Sequence, residues 1–156
     1  MEVMGKDTGF IALEAGIAGG ALEILVPEIT VSTRHLCHSI QEGFRRGKGS
    51  SIIVVAEGDR PGGAFEIAKE VKTMTGLDSR VVVLGHTQRG GSPTARDRVL
   101  ATKLGVAAVE ALFQAKATVV VGEKCGKIVL TPLKEAAEKR KPLDSSLVEL
   151  LKLVAG

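Results

Sequence analysis

The sequence has almost no aromatic residues: it contains no tryptophan and no tyrosine, and only four phenylalanines among 156 residues. Proteins that bind single-stranded nucleic acid rely on aromatic rings that stack on the bases. The net charge of +3 therefore suits small acidic molecules better, and we expect no nucleic-acid partner.

Cysteines and long apolar runs are also scarce. Cys37 and Cys125 stand alone, without the spacing of a zinc site or a disulfide framework, so free thiols are expected. No apolar run approaches the roughly 20 residues that span a bilayer. The N-terminal MEVMGKDTGF lacks the apolar segment of a signal peptide. These absences predict a cytoplasmic protein with no membrane partner.

Strand and helix patterns alternate along the chain. Short apolar strands are predicted at 23–26, 51–56 and 81–84, the last as a continuous run typical of a parallel strand covered on both faces. Strands joined by helices favour a parallel sheet with right-handed crossovers. The predicted helices are 10–18, one that is capped by Thr33 and ends at Gly47, one that ends at Gly76, and one from Ser92 or Thr94 to about Ala115.

Two apolar stripes are predicted to lie in the core, because their residues recur every four positions. They are Leu36, Ile40 and Phe44 on the second helix, and Leu100, Leu104, Ala108 and Leu112 on the fourth. The segments 118–121 and 127–131 flank GEKCG, which indicates a β-hairpin or an irregular return. Two short helices follow, after Pro132 and after Asp144.

The segment RVVVLGHTQRGGSPTARDR, residues 80–98, has the composition of an anion site. A strand runs directly into a loop that holds His86, Arg89 and three glycines, and open α/β sheets bind ligands beyond the carboxyl ends of their strands. A tight turn with solvated charges is the alternative. Glu57 follows the strand at 51–56 and could accept hydrogen bonds from hydroxyl groups, while nearby arginines hold a phosphate.

The sequence supports a ligand-binding role less strongly for two further groups of basic residues. Lys6 lies in the turn MGKDTG before a helix, where it could act as a point charge on phosphate or simply be solvated. Arg45, Arg46 and Lys48 cluster near a helix C-terminus, where cations complement the helix dipole. That structural role is the simpler interpretation of the cluster.

Three motifs together resemble the C-terminal half of bacterial-type 6-phosphofructokinases. They are EVMG at 2–5, IAGGALEILVPE at 17–28, and LGHTQRGGSP at 84–93 followed by Asp97 and Arg98. Their order and spacing match over roughly residues 1–130. The resemblance implies a three-layer αβα fold with a mostly parallel sheet, and a glycolytic kinase that transfers the γ-phosphoryl group of MgATP to the 1-hydroxyl of fructose 6-phosphate.

The resemblance also implies roles for individual residues. Met4 and Gly5 would contact the sugar, Glu57 would bind its hydroxyls, and His86 and Arg89 would hold its phosphate. Arg80 resembles an arginine that reaches the same phosphate in a neighbouring subunit, which implies a homo-oligomer. Lys6 stands where the family usually has an arginine that helps to neutralise the transferring phosphoryl group, so its role would be altered.

Arg46 and Lys48 align with basic residues of the family's allosteric effector site. The acidic residue expected there falls on Leu22, with Glu23 one position later. The resemblance therefore implies an effector phosphate site that lacks the acidic partner expected for regulation by ADP and Mg²⁺.

The chain lacks two segments that phosphoryl transfer needs: a GGDGS-like nucleotide loop and a TIDND-like segment that carries the general base. We therefore expect a fragment that is inactive by itself, with ATP and Mg²⁺ bound mainly by an absent half. Residues 1–90 and 134–156 would form the fructose 6-phosphate lobe, and 91–133 part of the nucleotide lobe, with apolar surface that oligomerisation or repacking would cover. A pyrophosphate-dependent relative and a non-catalytic sugar-phosphate-binding or oligomerisation module remain alternatives.

Overall fold

The structure is a computed structural model that describes residues 1–114, 116 and 118–154. It divides into two compact units, one formed by Met1–Gly90 with Leu143–Gly156 and the other by Gly91–Pro142. Residues 134–142, which we grouped with the first lobe, cluster with the second unit. The assignment of either unit to a substrate or a nucleotide lobe stays a prediction.

The first unit is built around a parallel sheet of three strands. Their order is β1–β3–β2, and β3 pairs in parallel with both neighbours. The strands are β1 (Glu2–Val3), β2 (Glu23–Leu25) and β3 (Ile53–Ala56), and the helices are α1 (Phe10–Ala18), α2 (Thr33–Arg45), α3 (Gly63–Thr75) and α6 (Ser145–Val154).

Successive side chains of these strands belong to two separate hydrophobic cores, one on each face of the sheet. Leu25 and Val55 pack with α2 and α3 on one face, whereas Ile24 and Val54 pack with α1 on the other, where side chains of α6 also contact the cluster. Because successive side chains in a strand point to opposite faces, both faces are covered. The predicted three-layer α/β architecture with a parallel sheet is confirmed.

The prediction for 81–84 needs correction. Val82 and Val83 are 47% and 48% exposed, and the segment joins β1 only through a parallel bridge between Glu2 and Val83. The Glu2 amide donates to the Val82 carbonyl at 2.8 Å, and the Leu84 amide donates to the Glu2 carbonyl at 3.1 Å. The run is apolar but lies at the edge of the sheet, so it is not covered on both faces.

The second helix also differs from expectation at both ends. Its N-cap is Ser32, whose hydroxyl accepts from the His35 amide, so Thr33 is the first helical residue and not the cap. Phe44, predicted to be in the core, is 42% exposed, because it stands in the last turn, beyond the buried positions Leu36 and Ile40.

The second unit consists of α4 (Ala95–Phe113), the hairpin β4 (Val119–Lys124) and β5 (Lys127–Pro132), and α5 (Leu133–Glu138). The antiparallel pairing of β4 with β5 confirms the predicted hairpin. The expected core stripe of α4 is wrong: Leu112 is 72% exposed, and Ala111 is the buried residue of this helix. Ile128 and Leu130 of the hairpin instead line a pocket together with Val106, Ala107 and Ala111, on a neighbouring strip of the helix. The predicted helix end near Ala115 lies outside the described residues.

Candidate functional site

Three chain segments end side by side at one edge of the first unit's sheet. Val3 pairs with Ala56 in parallel register, and Glu2 forms a parallel bridge with Val83. Parallel strands with this register leave the sheet together, so Met4, Glu57 and Leu84 emerge at the same edge. The Glu57 amide donates to the Val3 carbonyl at 2.8 Å, which fixes the first two segments relative to each other. We call this the carboxyl edge.

The segment after β1 leaves the carboxyl edge in a tight turn. The amide and hydroxyl of Thr8 both donate to the Gly5 carbonyl, each at 3.0 Å. A side chain at Gly5 would place its Cβ 2.2 Å from the Thr8 carbonyl oxygen, so the turn requires glycine there. Lys6 has a φ of 52°, in the left-handed region that costs a non-glycine residue energy, and its side chain is exposed.

The loop after β3 touches this turn. Gly58 has a φ of 89°, and a Cβ built on it would lie 2.0 Å from the carbonyl oxygen of Lys6. The backbones of the two segments therefore meet with no room for a side chain. Glu57, the neighbour of Gly58, is exposed, so its carboxylate can reach a ligand at the carboxyl edge.

His86 and Arg89 lie in a 3₁₀-helix, Gly85–Arg89, which directly follows Leu84. Its turns are held by the Thr87 amide, which donates to the Leu84 carbonyl at 3.2 Å, and by the Gln88 side chain, which donates to the Gly85 carbonyl at 3.0 Å. Both basic side chains are exposed. The short helix therefore keeps His86 and Arg89 close to the end of the 81–84 segment.

Among the residues that the structure describes, the charged side chains of the carboxyl edge have no partner. In the part of the chain that the structure describes, the side chains of Lys6, Glu57, His86 and Arg89 take part in no hydrogen bond or ion pair found there. Cations with free donors beside a free carboxylate can hold a phosphate and the hydroxyls of one ligand. The geometry thus brings six of the predicted residues to one edge of the sheet: Met4, Gly5, Lys6, Glu57, His86 and Arg89.

Arg80 lies at the opposite edge of the sheet, because it precedes the segment that pairs with β1. It contributes to a mainly apolar cavity of about 490 Å³ within the first unit, together with Met1, Phe44, Asp78 and others. Since Arg80 and His86 stand at the two ends of one extended segment, Arg80 is separated from the carboxyl edge of its own chain. Its predicted role in a neighbouring site remains a prediction.

The predicted effector residues also lie at this opposite edge of the sheet, where the strands begin; we call it the amino edge. Arg46 caps the C-terminus of α2, and the Lys48 amide donates to the Gly43 carbonyl at 3.0 Å. A Cβ at Gly43 would touch both Lys48 and Leu22. Leu22 is buried in the core, so this position offers an apolar contact where an acidic residue was expected. The effector assignment stays a prediction.

No group of three or more histidine, cysteine, aspartate and glutamate side chains within the described ranges is arranged to hold a metal ion. Across the same residues, none of the helices combines the length and the apolar character needed to cross a bilayer.

A polar cluster beside the carboxyl edge was not predicted from the sequence. Arg60 pairs with Asp59 and also contacts Val31, Thr33 and Glu70. The only sequence signal was an acidic residue followed by a basic one in GDRPGG, and such a pair is usually solvated. Apart from Asp59, its partners come from other elements, so these contacts could not be predicted from the sequence.

Comparisons with known proteins agree on one family. Residues 1–112 match the family model described as Phosphofructokinase. The chain is 51% identical over 155 residues to ATP-dependent 6-phosphofructokinase 1 of Thermus thermophilus and 45% identical to ATP-dependent 6-phosphofructokinase of Clostridium acetobutylicum, in both cases covering 99% of this chain and 48% of the relative. The chain thus spans about half the length of the curated relatives it matches.

Solved structures with a similar fold include two from yeasts. Phosphofructokinase of Pichia pastoris in the T-state has a TM-score of 0.78 and 33% identity, covering 99% of this chain and 18% of that one. Phosphofructokinase of Saccharomyces cerevisiae has a TM-score of 0.79 and 35% identity, covering 98% and 21%.

Proposed function

This chain belongs to the phosphofructokinase family, and from that premise we propose that its carboxyl edge forms one wall of a fructose 6-phosphate site. The parallel register of β1, β3 and the 81–84 segment carries the proposal, because it brings segments that are distant in sequence to one edge. The exposed acid and bases on these segments suit a ligand with both hydroxyls and a phosphate.

Each group at the edge has a chemical task in this proposal. Arg89 and His86 bind the sugar phosphate, with the guanidinium supplying paired donors. Glu57 accepts hydrogen bonds from the sugar hydroxyls, and Met4 and Gly5 form the surface against which the sugar lies. The tight turn at Gly5 and the short helix at 85–89 support fixed positions for these groups, so less ordering is required when the ligand binds.

The whole protein, by this proposal, is an ATP-dependent 6-phosphofructokinase of glycolysis. The relatives of this chain are named as ATP-dependent enzymes, which favours ATP over pyrophosphate as the donor. Lys6 would help to offset the negative charge of the transferring phosphoryl group, as a point charge and without the planar fork of an arginine.

The residues of this chain do not fit a resident MgATP. The described part holds no cluster of metal ligands, and the sequence contains no GGDGS-like loop. ATP and Mg²⁺ would therefore be bound mainly by the part of the relatives' length that this chain does not span. The 156-residue chain by itself is proposed to bind fructose 6-phosphate and to form no fructose 1,6-bisphosphate.

Two measurements test the function. Titration of fructose 6-phosphate into the chain, followed by ³¹P NMR, should show saturable binding. Arg89→Ala should weaken it roughly 10- to 100-fold, the range expected for a lost charge-assisted hydrogen bond, and Glu57→Ala should also abolish or strongly reduce it. Lys72→Ala is the matched control, because Lys72 is an exposed cation of α3 paired with Asp78.

Equal affinity in the Arg89 and Lys72 variants would contradict the site assignment. Formation of fructose 1,6-bisphosphate from ATP by the purified chain would contradict the proposed inactivity and leave the family assignment intact.

A further inference from the structure

The loop between β3 and α3 is intrinsically hard to order. It carries Glu57 and Gly58 into the candidate site and continues through Gly62 to Gly63, and these three glycines have φ values of 89°, 82° and 54°. Glycine loses more conformational freedom on folding than any other residue. A loop of this composition needs an anchor if it is to present Glu57 in one place.

Two backbone turns shape the loop. The Asp59 amide donates to the Ala56 carbonyl at 3.1 Å, and the Gly63 amide donates to the Arg60 carbonyl at 3.1 Å. The first turn contains Glu57 and Gly58. Arg60 follows it directly and opens the second turn, so its position determines how the two turns are joined.

The Arg60 side chain uses all three guanidinium nitrogens. Nε donates to Asp59 Oδ2 at 2.8 Å, Nη1 donates to the Thr33 hydroxyl at 3.1 Å, and Nη2 donates to the Val31 carbonyl at 3.1 Å. The Thr33 hydroxyl in turn donates to the Glu70 carboxylate on α3. One planar group therefore ties the loop to the β2–α2 connection and to α3.

Burial distinguishes this cluster from an ordinary surface ion pair. The side chains of Asp59 and Arg60 are only 6% and 23% exposed. A carboxylate that is removed from water needs its charged partner, and loss of that partner leaves an uncompensated buried group. A lysine would keep the charge, but its three N–H donors share one nitrogen and cannot reproduce the planar spread of contacts from Nε, Nη1 and Nη2.

We propose that Arg60 is a positioning residue of the sugar-phosphate site, which holds the Glu57–Gly58 turn against Lys6 by anchoring the loop to the β2–α2 connection. The proposal rests on the proposed function of the carboxyl edge. Arg60 itself is occupied by protein acceptors and acts on the ligand through Glu57 and Gly58.

The test compares Arg60→Met, which retains a long apolar stem, with Arg60→Lys and with the control Lys69→Met. Lys69 is an exposed cation on α3, with a side chain 74% exposed. The dissociation constant for fructose 6-phosphate should rise about 10-fold in Arg60→Met. Arg60→Lys should give partial rescue, and Lys69→Met should match the unmodified chain.

Amide hydrogen exchange without ligand separates positioning from general destabilisation. The Asp59 and Gly63 amides, which close the two turns, should exchange faster in Arg60→Met, whereas the β3 amides of Val54 and Val55 should keep their protection. Equal loss of protection in loop and strand would indicate a merely structural role and overturn the proposal.

Unchanged affinity in Arg60→Met would also overturn it. If the unmodified chain binds no fructose 6-phosphate, the proposed function of the edge fails. The anchoring itself is still decided by exchange: unaltered Asp59 and Gly63 amides would refute it, and faster exchange confined to the loop would support it.

Discussion

At the scale of single residues, Gly58 is where two parts of the candidate site meet through their backbones. Alanine there would bring a Cβ to 2.0 Å from the Lys6 carbonyl oxygen, at a φ of 89°. We expect Gly58→Ala to lower the free energy of unfolding by at least the roughly 1–3 kcal/mol of left-handed strain. It should also displace the Glu57 turn and reduce fructose 6-phosphate binding, as measured by urea unfolding and ³¹P titration.

Gly20→Ala is the control that separates the steric clash with Lys6 from the backbone strain of a positive φ. Gly20 also has a positive φ, 66°, but no atom lies within 4 Å of a Cβ built on it. It should cost only about 1–2 kcal/mol and leave ligand binding unchanged. Equal free energies of unfolding for the two variants would show that the close approach of Gly58 to Lys6 does not contribute to the cost of the substitution.

At the scale of elements, the helix α3 receives its N-terminal cap from a distant strand. Its N-cap position is Gly62, which has no side chain, and Glu2 Oε2 on β1 accepts from the Ala64 amide at 2.8 Å. Glu2→Ala should reduce the free energy of unfolding by about 1 kcal/mol, and Glu2→Gln should cost less because the amide oxygen still accepts. Glu14→Ala, an exposed position on α1, is the control; a loss as large as that of Glu2→Ala would refute the cap.

The helix α4 begins with a capping box that depends on pH. The Thr94 hydroxyl and the Thr94 backbone amide both donate hydrogen bonds to the Asp97 carboxylate. These hydrogen bonds lower the pKa of Asp97, and the one from the hydroxyl has the larger effect. A carboxyl whose pKa is lower in the folded state stabilises the fold above its unfolded pKa. That contribution disappears as the pH falls through its folded pKa.

Asp97→Ala should therefore lower the thermal midpoint at about pH 7 and have little effect near about pH 2. Thermal unfolding monitored by circular dichroism across this range measures the difference. Thr94→Ala, which removes the cause of the pKa shift, should reduce the pH dependence of the midpoint. A gap between the unmodified chain and Asp97→Ala that does not change with pH would contradict the linkage.

At the scale of the whole molecule, the family resemblance implies that Arg80 serves a site in a neighbouring copy of the chain, and this proposal can be tested by mixing variants. If Arg80 serves a neighbour, mixing Arg80→Ala with Arg89→Ala chains would create some sites that lack both arginines and some that retain both. Fructose 6-phosphate binding should then reappear in the mixture, although each variant alone binds poorly. Binding that equals the average of the two variants would contradict a shared site.

Features of the fold that depend on neighbouring residues could be predicted from the sequence, whereas features that depend on distant residues could not. Several features follow from neighbouring residues: the strand expected at 51–56 is found at Ile53–Ala56, and the helix expected to end at Gly76 has Gly76 as its C-cap. The hairpin and the Thr94 cap were each expected as one of two alternatives. The burial of the 81–84 segment and of the α4 stripe was predicted wrongly, because apolar composition does not reveal what lies across from a segment. Leu112 and Val83 are apolar and exposed for that reason.

The sequence by itself determined the family, through LGHTQRGGSP and its companion motifs, and the residue types available for a phosphate and a sugar. Only the tertiary structure decided which of them share an edge: parallel pairing sets β1, β3 and the 81–84 segment in register and directs Arg80 to the other side. It also decided that Arg60 is an anchor, since its acceptors come from separate elements. Such long-range contacts are set by the packing of the whole sheet and leave no local pattern in the sequence.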